Sequence, residues 1–213
     1  MKFIEKLITD YPQLAECKED ILKAFDLLRD TIKEGGRIYT CGNGGSASDS
    51  QHITAEMMKG FLKKRPVAFP LEIAEKLSVQ TSGFLSGKLQ GALPCHSLVS
   101  ETALITALCN DVSADIIFAQ QIYGYGKKGD CLIGISTSGY AVNVCLAVEL
   151  AIAMGLRIII MTGSDGGKLA QLADKQTCVA LIRVPSKTTF KIQEYHLPIY
   201  HALCAELEET FFP

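Results

Sequence analysis

Residues 39–56 have the sequence YTCGNGGSASDSQHITAE and predict a strand, a tight glycine turn and a helix in direct succession. The strand covers residues 37–41 and the turn covers residues 42–45. Glycines let the backbone approach a ligand closely, and the free N–H groups at a helix start attract an anion. Ser46 and Ser48 add hydroxyl donors at this point. The stretch therefore predicts a phosphate-binding loop.

His52 and Glu56 lie four residues apart in the helix that follows this loop. At that spacing two side chains lie one above the other on the same helix face. An imidazole and a carboxylate in this arrangement can share a metal ion or act as an acid–base pair. A lone histidine is more often a core or surface residue, so the prediction depends on the pair and on its place beside the loop.

A second unit of the same kind occupies residues 131–154. A buried strand, 131–135, leads directly into Ser136, Thr137, Ser138 and Gly139, and a helix over 141–154 follows. An ordinary helix N-cap needs only one such hydroxyl. Three consecutive hydroxyls at the end of a strand therefore favour a second phosphate-binding loop over a simple cap.

Strands and helices alternate along most of the chain. Further strands are predicted at 93–98, 157–161 and 179–184, with helices at 101–108, 114–123 and 168–173 between them. Apolar strands that alternate with helices predict a parallel sheet covered on both faces. Ligands of such sheets bind beyond the carboxyl ends of the strands, where both hydroxyl-rich loops lie.

Two other segments carry candidate ligand-binding side chains. Asn110 and Asp111 predict an Asx turn whose side chains could reach a ligand. The final helix, from about Thr189, carries Gln193 and His201, which lie eight residues apart and therefore on roughly the same side. His196, in the same helix, is interpreted as a structural or surface residue.

The remaining regions are less informative. Residues 2–34 predict two helices with a break near Asp10, whose apolar faces pack either in the core or against another subunit. Residues 67–92 form an unusually long connection, an embellishment or a lid, with a short helix possible over 71–79. The basic cluster Lys63–Arg65 is interpreted as a solvated helix end.

Composition excludes several classes of protein. The chain has 213 residues, 48% of them apolar, with a net charge of −2, which indicates one globular domain over residues 1–213. The lack of a long basic run argues against direct nucleic-acid binding. Eight cysteines without a C-x-x-C pair indicate a reduced, cytoplasmic protein. We expect no signal peptide and no membrane span.

Four motifs together resemble the sugar isomerase (SIS) domain family, and more narrowly its phosphoheptose isomerase branch. They are CGNGGSASDSQHITAE at 41–56, GISTSG at 134–139, MTGSDGGK at 161–168 and IQEYHLPIYH at 192–201. The resemblance covers nearly the whole chain apart from residues 67–92. It implies a three-layer α-β-α sandwich around a central five-stranded parallel sheet, doubly wound and flavodoxin-like, and an aldose–ketose isomerase that forms homotetramers with sites shared between subunits.

The resemblance also implies roles for individual residues. Zinc would be held by His52, Glu56, Gln193 and His201. Glu56 would be the base that moves a proton between C1 and C2 through an enediol, and His201 the assisting acid. The substrate, sedoheptulose 7-phosphate or a close ketose phosphate, would be bound by a larger set: Asn43, Gly44, Gly45, Ser46, Glu56, Asn110, Asp111, Ser136, Thr137, Ser138 and Gln193.

Three departures from the family pattern concern this site. Ala141 stands where a small polar residue is usual, and Phe190 stands where an acidic residue is usual. Pro198 lies between the two proposed ligands of the final helix, where a proline removes a backbone hydrogen bond. Two alternatives remain at this point: a non-catalytic SIS-domain protein that binds a phosphosugar and regulates a partner, and a dinucleotide-binding oxidoreductase.

Overall fold

The computed structural model describes residues 1–67, 70–174 and 176–213. Its five strands are β1 (Ile38–Gly42), β2 (Cys95–Ser97), β3 (Cys131–Ile135), β4 (Arg157–Thr162) and β5 (Val179–Arg183). They form one parallel sheet in the order β2-β1-β3-β4-β5. The predicted parallel sheet is confirmed, although β2 is shorter than the predicted strand over 93–98.

Ten helices flank or extend the sheet within the described residues. They are α1 (Lys2–Asp10), α2 (Lys18–Lys33), α3 (Gly45–Met58), α4 (Leu71–Ala74), α5 (Val79–Ser86), α6 (Thr102–Asp111), α7 (Ile117–Tyr125), α8 (Val142–Ala153), α9 (Gly167–Ala173) and α10 (Thr189–Phe211). One core packs α1, α2, α3 and α10 on one face of the sheet. A second core packs α7 and α8 on the other face. The three-layer prediction is thus confirmed.

The N-terminal helices contribute their apolar faces to the core of this chain. Ile4, Leu7, Ile21 and Leu28 are buried there. Glu206 in α10 accepts hydrogen bonds from the backbone N–H of Phe3 at 2.8 Å, so it ties the start of α1 to the last helix. These buried residues fit the interpretation in which the helices pack in the core of their own chain.

Two local predictions were wrong, the Asn110–Asp111 turn and the solvated helix end at Lys63–Arg65, whereas the short helix possible over 71–79 is present as α4. Asn110 and Asp111 do not form a turn: they are the last two residues of α6, because that helix continues past Leu108, which is buried against the sheet. Residues 71–79 hold the four-residue helix α4, and the longer α5 follows it. Residues 68–69 of this connection lie outside the described part of the chain.

Arg65 is fully buried, not part of a solvated helix end. It lies after α3 in the connection to α4 and pairs with the buried carboxylate of Glu208 at 2.8 Å. A buried charge is stable only with such partners. Of the basic cluster, Lys63 keeps a surface role, because its Nζ pairs with Glu209 while both side chains are partly exposed.

Helix α10 continues without interruption through Pro198. A proline has no N–H, so the carbonyl of Glu194, four residues earlier, loses its helical donor. Gln193 and His201 nevertheless stay on one helix, on either side of Pro198. Within the described residues, no helix combines the length and the apolar character needed to cross a membrane.

Candidate active site

The two hydroxyl-rich loops meet at the centre of the sheet. β1 and β3 are neighbours, but α3, which follows β1, packs on one face and α8, which follows β3, packs on the other. The loops therefore diverge at a topological switch point, where doubly wound sheets open a crevice beyond the carboxyl ends of their strands.

A cavity of about 390 Å³ occupies this crevice. Its lining combines both loops with the start of α10: Asn43, Gly44, Gly45, Ser46, Ile135, Ser136, Thr137, Ser138, Ala141, Thr189 and Gln193. Helix α3 begins at Gly45 in this lining, so its positive N-terminal end favours an anion in the cavity. Eight of the predicted substrate-binding residues are thus brought together in one cavity.

Gly44 and Gly45 are required in the first loop for different reasons. Gly44 has a φ of +56°, a conformation that residues with a side chain rarely adopt. Gly45 lies against the side chain of Gln193, where an added methyl carbon would be 2.5 Å from Nε2. The first loop and the last helix therefore touch here, and a side chain at residue 45 would displace the amide of Gln193.

Two polar residues at this cavity were missed by the sequence analysis. Thr189 lines it from the first turn of α10. Asn143 exchanges two amide hydrogen bonds with Asn43, at 2.8 and 3.1 Å, and so bridges the two loops. The N-terminal position of Thr189 in its helix was a usable signal. The pairing of Asn43 with Asn143, which lie 100 residues apart, left no signal in the sequence.

The proposed catalytic pair lies with His52 at the junction of α3 and α10. His52 Nε2 is 3.2 Å from Glu56 Oε1 and 3.5 Å from His201 Nε2. Glu56 Oε2 is buried and has no hydrogen-bond partner among the described residues; Lys59 Nζ lies 3.6 Å away. Burial, and then the neighbouring His52, lower the pKa of His201.

Tyr200 joins this cluster to Asp49. Its hydroxyl donates to Asp49 Oδ1 at 3.1 Å and lies 3.0 Å from Nδ1 of His52. Burial raises the pKa of Asp49, and the hydrogen bond from Tyr200 opposes the rise. An ionised carboxylate only accepts hydrogen bonds and a hydroxyl has one proton to give. With Asp49 ionised, Tyr200 donates to it and would accept from an Nδ1–H of His52.

This assignment leaves a lone pair on His52 Nε2, facing the carboxylate oxygen of Glu56. Two acceptor atoms 3.2 Å apart need a positive charge between them, either a proton or a metal ion. Neutral imidazoles and a carboxylate are donors that zinc accepts. Within residues 1–67, 70–174 and 176–213, however, no three His, Cys, Asp or Glu side chains are already arranged as a metal site.

The predicted site residues therefore fall into three places. His52, Glu56 and His201 form one cluster, while Gln193 contacts Gly45 in the cavity. Asn110 and Asp111 do not line the cavity; they are exposed, and the amide of Asn110 donates to Asp111 at 2.7 Å. Phe190 is also exposed, whereas Ala141 does line the cavity.

The switch-point cavity and its two hydroxyl-rich loops define an α/β protein of the sugar isomerase class. Models of the SIS domain match residues 2–90 and 89–197. Over 195 residues the chain is 38% identical to the phosphoheptose isomerase of Shewanella sediminis, which covers 92% of this chain and 85% of that protein. The chain therefore belongs to the SIS-domain family, in its phosphoheptose isomerase branch, and is an isomerase.

Solved structures agree with this placement. The phosphoheptose isomerase GmhA from Neisseria gonorrhoeae superposes with a TM-score of 0.72 at 31% identity, covering 96% of this chain and 98% of that one. A phosphoheptose isomerase from Francisella tularensis gives 0.74 at 28% identity, covering 98% and 95%. The regulatory alternative is not favoured, since these relatives are named as isomerases.

Proposed function

We propose that this protein interconverts sedoheptulose 7-phosphate and glycero-manno-heptose 7-phosphate through an enediol. The observation that carries the proposal is the half-buried Glu56 carboxylate, with one oxygen beside His52 and the other without a hydrogen-bond partner among the described residues. A base needs such a free oxygen to reach a carbon-bound proton. The phosphoheptose isomerases among its relatives supply the reaction class.

The proton bookkeeping uses two side chains. Glu56 takes a proton from C1 of the ketose, and the C2 oxygen receives a proton from His201, which gives the enediol. Glu56 then returns its proton to C2 while the C1 hydroxyl loses its own to His201, which gives the aldose. Both groups end in their starting protonation states, as a catalyst must.

The phosphate would bind in the switch-point cavity. Ser46, Ser136, Thr137 and Ser138 offer hydroxyl donors there, with backbone N–H groups of α3 beside them. No Lys or Arg lines the cavity among the described residues. Recognition would therefore depend on hydrogen bonds and on the helix dipole.

We further propose zinc as the metal, held by His52, Glu56, Gln193 and His201. When bound, it would polarise the substrate oxygens as a Lewis acid. The two oxygens of Glu56 suit two tasks, since Oε1 faces His52 while Oε2 stays free. Tyr200, whose hydroxyl lies 3.0 Å from Nδ1, would hold the His52 ring for this role.

The assembly is part of the proposal. Asn110 and Asp111 are exposed and lie outside the cavity of their own chain. In a homotetramer with shared sites, they would serve the cavity of a neighbouring subunit. All eight cysteines lie in the described residues and are free thiols, which supports work in the reducing cytoplasm.

The decisive experiment is turnover of sedoheptulose 7-phosphate by purified protein, with and without a chelator. Glu56→Gln keeps the size of the side chain and removes the base, so we expect at least a 100-fold loss of kcat, about the value of one positioned acid–base group. Glu101→Gln is the matched control, because Glu101 also faces a histidine, His96, at 3.6 Å but is not one of the predicted site residues. Equal activity of Glu56→Gln and the control would refute the assignment.

A further inference from the structure

Glu208, near the end of α10, organises the connection that follows α3. Its carboxylate accepts hydrogen bonds from the backbone N–H groups of Phe61 at 2.8 Å, Leu62 at 2.7 Å and Lys63 at 3.0 Å. It also accepts from Arg65 Nε at 2.8 Å. Four donors on one buried carboxylate hold residues 61–65 in a single conformation.

Arg65 passes this constraint on to α3. Its guanidinium donates to the carbonyl oxygens of Glu56 at 3.0 Å and Met57 at 2.7 Å. The last carbonyls of a helix have no partner within the helix. Here the side chain of Arg65, itself fully buried, supplies a partner for two of them, and the carbonyl of Met57 also accepts from the N–H of Leu93 at 2.9 Å. The backbone of the residue proposed as the base is thereby fixed from outside its helix.

The same connection also touches the second catalytic residue. The ring of Phe61 packs on the imidazole of His201, with centroids 5.4 Å apart and planes tilted by 36°. Phe61 is held at this place by the hydrogen bond from its N–H to Glu208. Glu208 therefore reaches Glu56 through Arg65 and His201 through Phe61.

We propose that Arg65 and Glu208 are positioning residues, which set the distance between the base Glu56 and the acid His201. The inference rests on the proposed function, because it assigns no chemistry of its own to the pair. A purely structural ion pair would stabilise the fold without affecting the reacting groups. This pair instead contacts the backbone of Glu56 through Arg65, and it reaches the side chain of His201 through the ring of Phe61.

Arg65→Lys tests the proposal, because lysine keeps the charge but has one nitrogen, which cannot reach the three positions that Nε, Nη1 and Nη2 of Arg65 reach. We expect kcat to fall about 10- to 100-fold, as for a small misplacement of a catalytic group. KM should change by less than about threefold, since the switch-point cavity that binds the phosphate is untouched. Arg157→Lys is the matched control: Arg157 likewise donates to a carbonyl, that of Gly129, and to a carboxylate, that of Glu34.

Hydrogen–deuterium exchange gives a readout that does not need turnover. Arg65→Lys should speed exchange in the peptides that cover 52–63, while Arg157→Lys should leave them unchanged. Wild-type protein that turns over no sugar would defeat the proposed function, yet faster exchange in this segment would still support the anchoring. Unchanged exchange in Arg65→Lys would overturn the proposal that Arg65 anchors this segment.

Two milder variants keep the inference testable if Arg65→Lys does not fold. Glu208→Gln retains the shape but places an amide donor among four donors, so kcat should again fall more than KM rises. Phe61→Leu leaves the ion pair intact and removes only the ring against His201; we expect a lower kcat with little change in melting temperature. Wild-type kcat in both folded variants would overturn the proposal.

Discussion

The hydroxyl of Tyr200 lies 3.0 Å from Nδ1 of His52 while it donates to Asp49 at 3.1 Å. When Tyr200 accepts a hydrogen bond from Nδ1–H of His52, the Nε2 of His52 is the nitrogen left to bind the proposed metal ion. Mutation of a residue that hydrogen-bonds the other nitrogen of a metal-binding histidine typically lowers metal affinity about 10- to 100-fold. The Tyr200–Asp49 pair would therefore act on the proposed metal site indirectly, through the orientation of His52.

Tyr200→Phe should weaken zinc binding about 10-fold or more, because His52 loses the partner that fixes its tautomer. The measurement is competition with a chromophoric chelator, in parallel with turnover. Tyr123→Phe is the control, since Tyr123 is 71% exposed. Zinc affinity equal to that of the wild type would show that Tyr200 has no part in orienting His52.

Gly45→Ala should displace the amide of Gln193, because the new methyl carbon would meet Nε2 at 2.5 Å. We expect turnover to fall at least about 10-fold, equivalent to the 1–3 kcal/mol typical of overpacking. Gly124→Ala is the comparison, as nothing lies within 4 Å of an added methyl there. Steady-state kinetics and thermal melts of both variants test this; full activity of Gly45→Ala would argue against a role for Gln193.

Asn143→Ala should loosen the bridge between the two loops and raise KM about fivefold, the equivalent of one hydrogen bond of about 1 kcal/mol. Asn143→Asp should raise KM further, since it places a negative charge beside the phosphate. The second effect should shrink with added salt. A KM for Asn143→Asp no higher than that of Asn143→Ala would place the phosphate elsewhere.

Because His196 is buried, we expect the folded protein to lose stability in weak acid. Burial lowers its pKa to about 4 from the ordinary 6.5, against a weaker opposing effect of the Thr162 carbonyl. Below pH 6.5 the unfolded chain binds a proton at this residue and the folded chain does not. The free energy of unfolding therefore falls as the pH drops from 6.5 toward 4, by up to about 1.4 kcal/mol per pH unit.

Urea denaturation at pH 7.5 and pH 5 measures this effect. The difference between the two pH values should be smaller in His196→Asn than in the wild type, and comparing pH values within one variant cancels any packing loss. His96→Asn, at a partly exposed residue, should keep the wild-type difference. An unchanged difference in His196→Asn would mean that His196 is not the acid-sensitive group.

The features predicted correctly from the sequence are those that depend on neighbouring residues in the chain. The strand at 131–135 was predicted with the correct bounds, and both hydroxyl-rich loops lie where their strands end, because glycine turns and apolar runs act within a few residues. Arg65 was misinterpreted because its partner, Glu208, lies 143 residues away. A basic cluster has the same appearance in sequence whether it is solvated or buried, and only the fold distinguishes the two.

The Asn110–Asp111 turn failed for a related reason. These residues favour turns in isolation, but α6 extends through them to Asp111. Tertiary packing of a helix outweighs such weak local preferences. The Tyr200–Asp49 contact, across 151 residues, was equally beyond local reasoning.

The position of α10 after every strand has a consequence for biosynthesis. A nascent chain presents all five strands before it presents the helix that carries Gln193, His201 and Glu208. Until then, one face of the sheet lacks a major part of its cover, and exposed apolar surface of this kind makes partly folded chains prone to aggregation. The helix that carries the proposed catalytic residue His201 also completes the core, so a prematurely terminated chain should be removed as misfolded protein rather than persist as an inactive enzyme.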